Sequence, residues 1–205
     1  MKSVVIFGST GNTGLCAVEA AIKRALKVRA FVRDPNKMPE GLRSKVEIVQ
    51  GDVLNEGDVK KALEGQDAAV VVLGTRNDLS PTTMMSEGTK IIINQMKQQN
   101  IKYMSACLSA FLFYEPEKVP AIFKELNSDH QRMLDCIKAS DLQWIAVLPP
   151  HIADEPATDN YIVKHDVSGG RAISKHDLGD FLVKCLTMPE HYQKVCGIGK
   201  PVPAQ

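Results

Sequence analysis

The sequence predicts a single-domain α/β fold, a doubly wound parallel sheet of Rossmann-like type with helices on both faces. Three observations predict it. Short runs with few polar residues alternate with helix-length segments along the chain. Those runs are nearly continuous in apolar residues, as strands covered on both faces must be. A turn carrying Gly8, Gly11 and Gly14 lies between the first run and the first helix-length segment. The chain of 205 residues is long enough to bury a core on both sides of a sheet.

The elements follow in order. Val4–Phe7 reads as a buried strand and Thr13–Leu26 as an alanine-rich helix. Val28–Val32 and Val46–Gln50 are the second and third strands. Residues 55–63 form a helix with Asn55 as N-cap. Ala69–Leu73 is a fourth strand with an unbroken apolar core. Residues 83–99 form a long helix, with Thr82 or Thr83 near its cap and Pro81 just before. Ile101–Cys107 is a fifth strand. Residues 127–139 are helical, starting earlier, near Pro120. Leu142–Leu148 is a sixth strand, stopped by Pro149 and Pro150. Residues 175–186 form the last helix, capped by Ser174, and Val195–Ile198 is a short seventh strand. Residues 150–172, rich in Pro, Asp and Gly, are expected to loop over one end of the sheet. No internal repeat or linker divides the chain, so residues 1–205 are expected to form one domain.

Composition narrows the function. The net charge of +1 leaves no basic footprint for nucleic acid and no polybasic anchor for a membrane. No apolar run approaches the roughly 20 residues of a membrane span. The first residues enter a strand directly, without the apolar stretch of a secretory signal. Five cysteines, an odd number with no CxxC, argue for a reducing compartment, most simply the cytoplasm. No HExxH and no paired His/Cys spacing occur, so no metal is expected. GxSxG and GxxxxGK[ST] are also missing, which excludes an esterase elbow and a P-loop.

The glycines point to a dinucleotide. In a doubly wound fold the first strand–turn–helix faces the ligand crevice, where glycine lets backbone approach a pyrophosphate and lets helix pack on strand. Backbone N–H groups at the helix start then hold the negative charge. The spacing here is GxxGxxG rather than GxGxxG, but it follows an apolar strand, opens a helix and precedes a second strand. Gly8, Ser9, Thr10, Gly11, Asn12 and Thr13 are the expected phosphate loop. The end of the second strand chooses between NAD and NADP. Arg33 stands there, Lys37 lies a turn further on, and Asp34 is the opposing signal. Two cations against one carboxylate favour the 2′-phosphate of NADPH. Asp52 and Val53 are placed for the adenine, and Leu73, Gly74, Thr75 and Arg76 for the cofactor backbone. Arg76 either reaches a phosphate or makes a surface ion pair.

Four stretches then carry a family likeness: GTRNDLSPTTMMSEG (74–88), CLSAFLF (107–113), PPHIADEP (149–156) and ISKHDLGDF (173–181). Together, in order and over nearly the whole chain, they resemble the cytosolic NADPH-dependent flavin reductase, or biliverdin-IXβ reductase, family, an offshoot of the short-chain dehydrogenase/reductase superfold. The resemblance implies a monomeric enzyme that reduces FMN, riboflavin and biliverdin IXβ with NADPH. It places the 2′-phosphate on Arg33, Asn36 and Lys37, where the family often has Ser and Arg at the last two. Lys37 keeps the charge but not the planar fork, so weaker NADPH binding is expected. Ser109 and His151 match a polar pair beside the nicotinamide, assigned here as catalytic, with His151 a polar contact rather than an obligatory acid. Cys107 and His130 match positions near the cofactor, joined by Met85 and Ile152. Position 108 is Leu where the family often has Thr. The run 187–205 diverges, and nothing is carried over from it.

The flat acceptor is expected to lie on Phe111, Leu112, Phe113 and Tyr114, with Ile152 and Trp144 as further candidates, Trp144 fitting the core better. Tyr114 and Lys118 reproduce the Tyr-x-x-x-Lys spacing of short-chain dehydrogenases, but Pro116 between them disfavours the helix that pairing needs. Two other functions stay open. One is an NADP(H)-binding redox sensor acting through protein contacts. The other is group transfer by a thiolate at Cys107 or Cys185.

Overall fold

The structure, a computed structural model, describes residues 1–201. Strand β1 (Ser3–Phe7) leads to helix α1 (Asn12–Lys23), β2 (Lys27–Val32), short α2 (Glu40–Arg43), β3 (Glu47–Gln50), α3 (Glu56–Leu63) and β4 (Ala68–Val71). Then follow α4 (Met84–Gln98), β5 (Tyr103–Cys107), α5 (Lys124–Lys138), β6 (Gln143–Leu148), β7 (His151–Ala153), β8 (Ile162–His165), β9 (Ala172–Ser174), α6 (Lys175–Lys184) and β10 (Lys194–Gly199). Eight strands form one sheet in the order β3-β2-β1-β4-β5-β6-β10-β8. Every pairing in it is parallel except that of β8, antiparallel to β10. The chain order reverses at β1 and β4, which makes the crevice between their carboxyl ends the place for a ligand.

Alternation along the strands builds two cores. Val5 and Phe7 of β1 pack with Leu63, Ile92, Met96 and Met133 from α3, α4 and α5. Val4 and Ile6 face the other way, onto Ala17 and Val18 of α1 and Leu178 and Phe181 of α6. Trp144 is buried in the first core, as its mid-strand position requires. Helices α1 and α6 approach closely because Gly179 lies against Cys16; a Cβ there would sit 2.6 Å from the Cys16 Cβ.

Capping follows local chemistry. Asn55 accepts the Asp58 N–H at 3.0 Å, and Ser174 accepts the His176 N–H at 3.2 Å. Thr83 is the N-cap of α4, while Thr82 accepts the Met84 N–H at 3.1 Å. The largest departure from expectation is residues 150–172. They are not all loop: β7 and β9 pair with each other, and β8 closes the sheet edge. Strand β8 is short and polar on its outer residues Lys164 and His165, as an edge strand is. Its backbone hydrogen bonds with β10 make it a strand, and those depend on residues some 30 positions away.

Candidate cofactor-binding site

The carboxyl ends of the strands border a cavity of 810 Å³. Its floor is the turn after β1. Gly8 holds φ +82°, a left-handed conformation that glycine alone adopts without cost, and a Cβ on it would sit 2.1 Å from the Val72 carbonyl oxygen. Gly14 has the third role: a Cβ there would lie 2.0 Å from the Gly8 carbonyl oxygen, so its absence lets α1 sit directly on the turn. The first α-helical bond after the turn runs from Leu15 N–H to Gly11 oxygen at 2.9 Å. The N–H groups of Asn12, Thr13 and Gly14 precede it. Helix α1 has no side-chain cap and no acidic residue in its first turn, and Thr10, Gly11, Asn12, Thr13 and Gly14 all line the cavity. A helix start left open in this way, facing the crevice, fits a pyrophosphate.

Arg33, Asp34 and Lys37 close one end of the cavity. The Asp34 carboxylate accepts the Asn36 N–H at 3.0 Å and caps the turn Pro35–Lys37, which gives it a structural role at this end of the cavity. Arg43 braces that turn from α2 by donating to the Pro35 and Met38 carbonyls, both at 3.2 Å. Among the described residues Arg33 and Lys37 form no ion pair, so both guanidinium and ammonium can turn to a ligand, with Asp34 and Asp52 as the acidic groups in the same lining. Asp52 and Val53 lie beside them; the Asp52 carboxylate accepts the Leu54 N–H at 2.9 Å. Leu73, Gly74, Thr75 and Arg76 border the middle. Arg76 has φ +53° and donates to the Thr10 hydroxyl at 3.4 Å, so it joins the two loops across the site instead of pairing with a carboxylate.

The far end is apolar: Leu79, Met84, Met85, Leu108, Phe123, Leu126 and Ile152, with Cys107 and His130. His130 is 8% exposed, and burial lowers its pKa to about 4, against a weaker upward pull from Asp129. An unfolded imidazole titrates near 6.5. Between these values the unfolded chain binds the extra proton, so stability falls as pH drops from about 6.5 towards 4, by about 3 kcal/mol at the limit. Urea midpoints measured across that range are expected to fall more steeply in the wild type than in His130→Gln. Equal slopes would contradict a buried, neutral His130. Burial also drives the Cys107 thiol to about 12 and the fully buried Cys185 thiol still higher, so neither is a thiolate near neutral pH. That removes the basis for group transfer through either cysteine.

Several expected site residues stand elsewhere. Ser9 is fully buried and donates to the Phe31 carbonyl at 3.0 Å, which stitches the turn to β2 instead of meeting a phosphate. Asn36 is exposed and outside the cavity lining. Ser109 is outside the cavity lining; its hydroxyl accepts the Phe111 N–H at 3.2 Å and caps the turn Ala110–Phe113. His151 is exposed on β7, where strand alternation turns it away from its neighbour Ile152, which does line the cavity. The structure therefore does not bring Ser109 and His151 together in the cavity. Leu112 and Phe113 pack on the core. Phe111 and Tyr114 are outside the cavity lining, the Phe111 ring 5.1 Å from Phe123 and 5.5 Å from Tyr114. The apolar run 111–113 thus has its partners within the protein. Tyr114 and Lys118 do not share a helix; Lys118 pairs with Glu115 at 2.7 Å.

Phe123 and Leu126 were missed because they approach the cavity from the start of α5, more than 50 residues beyond β4 in sequence. Asp129, also unforeseen, is fully buried on α5 and accepts the Met85 and Ser86 N–H groups at 3.0 and 3.3 Å and the Ser86 hydroxyl. It caps α4 from another helix, and Arg132 ties it to Thr82 by donating to the Thr82 carbonyl at 2.9 Å. The start of α4 is filled by the protein's own anion, in contrast to that of α1.

A model of the NAD(P)H-binding family matches residues 8–189. The chain belongs to this NAD(P)H-binding family. NAD(P)H is accordingly its cofactor. A Rossmann-fold NAD(P)-binding family protein from Shigella flexneri is 25% identical, with 98% of this chain and 94% of that one covered and a TM-score of 0.78. A short-chain dehydrogenase/reductase from Veillonella parvula, solved in complex with NADP, is 13% identical, covers 98% and 95%, and has a TM-score of 0.80. A protein from Streptococcus pneumoniae, provisionally named an NADH-flavin reductase, is 24% identical with 98% and 100% covered, also at TM-score 0.80. No helix among the described residues is long and apolar enough to cross a membrane.

Proposed function

We propose that the protein is an NADPH-dependent reductase that passes hydride to a flat conjugated acceptor, a flavin such as FMN or riboflavin, or biliverdin IXβ. The observation that carries this reading is one continuous cavity, cationic at Arg33 and Lys37 and apolar at Leu108, Phe123, Leu126 and Ile152. The resemblance in residues 74–88 and 107–113 points the same way, and the provisional name of the Streptococcus relative agrees on a flavin acceptor while naming NADH as the donor, so the choice of NADPH rests on Arg33 and Lys37. Bound NADPH supplies a hydride from its nicotinamide ring. The chain's part is to hold and to exclude. Arg33 and Lys37 select the 2′-phosphate, the first turn of α1 holds the pyrophosphate, and the apolar end keeps water from the transfer. Proximity alone is worth roughly 7 kcal/mol of barrier when the two planes are aligned. No buried acid serves that end: His130 is neutral, and the required proton is drawn from solvent.

The test is NADPH oxidation with FMN and biliverdin IXβ side by side, repeated with NADH. Steady turnover with NADPH is expected; binding without turnover would replace this reading with that of a sensor. In Arg33→Ala the KM for NADPH is expected to rise about 10- to 100-fold, as loss of charge-assisted hydrogen bonds implies, with NADH little changed. His151→Ala is expected to keep most of kcat, because the exposed imidazole lies outside the cavity. A loss near a thousandfold would make it the proton donor after all.

A further inference from the structure

Away from the cofactor cavity, three ligand-type side chains converge at the edge of the sheet. His165 on β8 and Cys196 on β10 are direct cross-strand partners, so their side chains leave the same face. His191 approaches from the turn Pro189–His191. Its Nδ1 lies 2.9 Å from His165 Nε2 and 3.8 Å from Cys196 Sγ, and all three atoms fall within 4.8 Å of one another. The Phe181 ring packs edge-on against His191, 5.4 Å between centroids, and holds it in place.

We propose that His165, His191 and Cys196 form a binding site for a zinc-class divalent cation. Without a cation the His165–His191 contact needs a proton on one of the two ring nitrogens, and His191 Nδ1 either donates to His165 or accepts from one neighbour only. A cation between the three atoms uses every lone pair aimed there. Zinc bond lengths at tetrahedral angles set N···N at about 3.4 Å and N···S at about 3.6 Å. The observed 2.9 and 3.8 Å lie on either side of these values, within reach of small side-chain rotations. Two imidazoles and a thiolate are borderline-to-soft donors, which suit zinc and not calcium or magnesium. Exposed His165 leaves the fourth position to water. Coordination releases the Cys196 proton to solvent. The cation would clamp the one antiparallel edge strand to β10 and to the 189–191 turn. The site was invisible to motif spacing because 26 residues separate the two histidines, and pairing of β8 with β10 joins them.

The experiment uses the full chain, reduced and stripped with a chelator, titrated with Co²⁺ and with Zn²⁺ against a chromogenic chelator. One equivalent is expected at micromolar affinity or tighter. The cobalt spectrum should show tetrahedral d–d bands and a thiolate-to-cobalt charge-transfer band. Cys196→Ser should abolish that band, and His165→Ala should weaken zinc binding at least tenfold. Zinc should raise the Tm of the wild type but not of His165→Ala, with NADPH binding equal in both. A cobalt spectrum without the sulfur band, or His165→Ala binding zinc like the wild type, would reduce the cluster to a hydrogen-bonded contact. If Cys196→Ser fails to fold, the wild-type spectrum and the exposed His165 variant still decide.

Discussion

Gly14→Ala is expected to lose about 3 kcal/mol or more of folding stability and to abolish measurable NADPH binding in whatever folds. The added Cβ would sit 2.0 Å from the Gly8 carbonyl oxygen and 2.9 Å from its carbonyl carbon. Both atoms are backbone, and neither is the loose end of a side chain. The turn and α1 must therefore part, which disturbs the N–H groups of Asn12, Thr13 and Gly14 together. Gly11→Ala is the control. Its φ is −74°, and its Cβ would meet only the Gly8 oxygen, at 3.4 Å. That variant should fold within about 1 kcal/mol of wild type, since an ordinary contact replaces open space. Urea unfolding and NADPH fluorescence titration read both effects. Equal stability of the two alanine variants would show that the glycine spacing is not steric in origin.

Asp129→Ala has the second large effect. The carboxylate is fully buried and gathers the Met85 and Ser86 N–H groups, the Ser86 hydroxyl and the Arg132 guanidinium. Its removal strands buried donors, which cost about 1–3 kcal/mol each when unpaired, and leaves the Arg132 charge beside a gap. Partial relaxation by water brings the expected total to about 3 kcal/mol. The loss reaches the site as well, because Met84, Met85 and Leu79 line the cavity and depend on the start of α4. KM for NADPH should rise with the fall in stability. A urea midpoint that implies less than about 1 kcal/mol of loss would mean that water replaces the carboxylate fully.

Much of the fold was legible because its determinants are local. Apolar runs of strand length, Asn55 and Ser174 at helix starts, and proline after Leu148 each act within a few residues. The glycine turn is similar: Gly8 needs a positive φ and Gly14 needs space, and both demands show as residue type at fixed spacing. Legibility ended where a side chain chooses between partners. Ser9, Asp34 and Ser109 look alike on paper, small polar groups at strand ends. In the fold Ser9 bonds to Phe31, Asp34 caps a turn and Ser109 caps another, so each has a structural partner that its residue type did not announce.

By itself, then, the amino-acid order determined the doubly wound architecture, the tight glycine turn after β1 and the two cations beyond β2, since periodicity, glycine sterics and charge are properties of short segments. Tertiary structure alone decided which groups face the cavity, that Phe123 and Leu126 wall it, that Asp129 caps α4 from α5, and that β8 carries His165 to Cys196. These contacts join residues tens of positions apart. Their existence depends on helix packing and strand register, which no local pattern encodes.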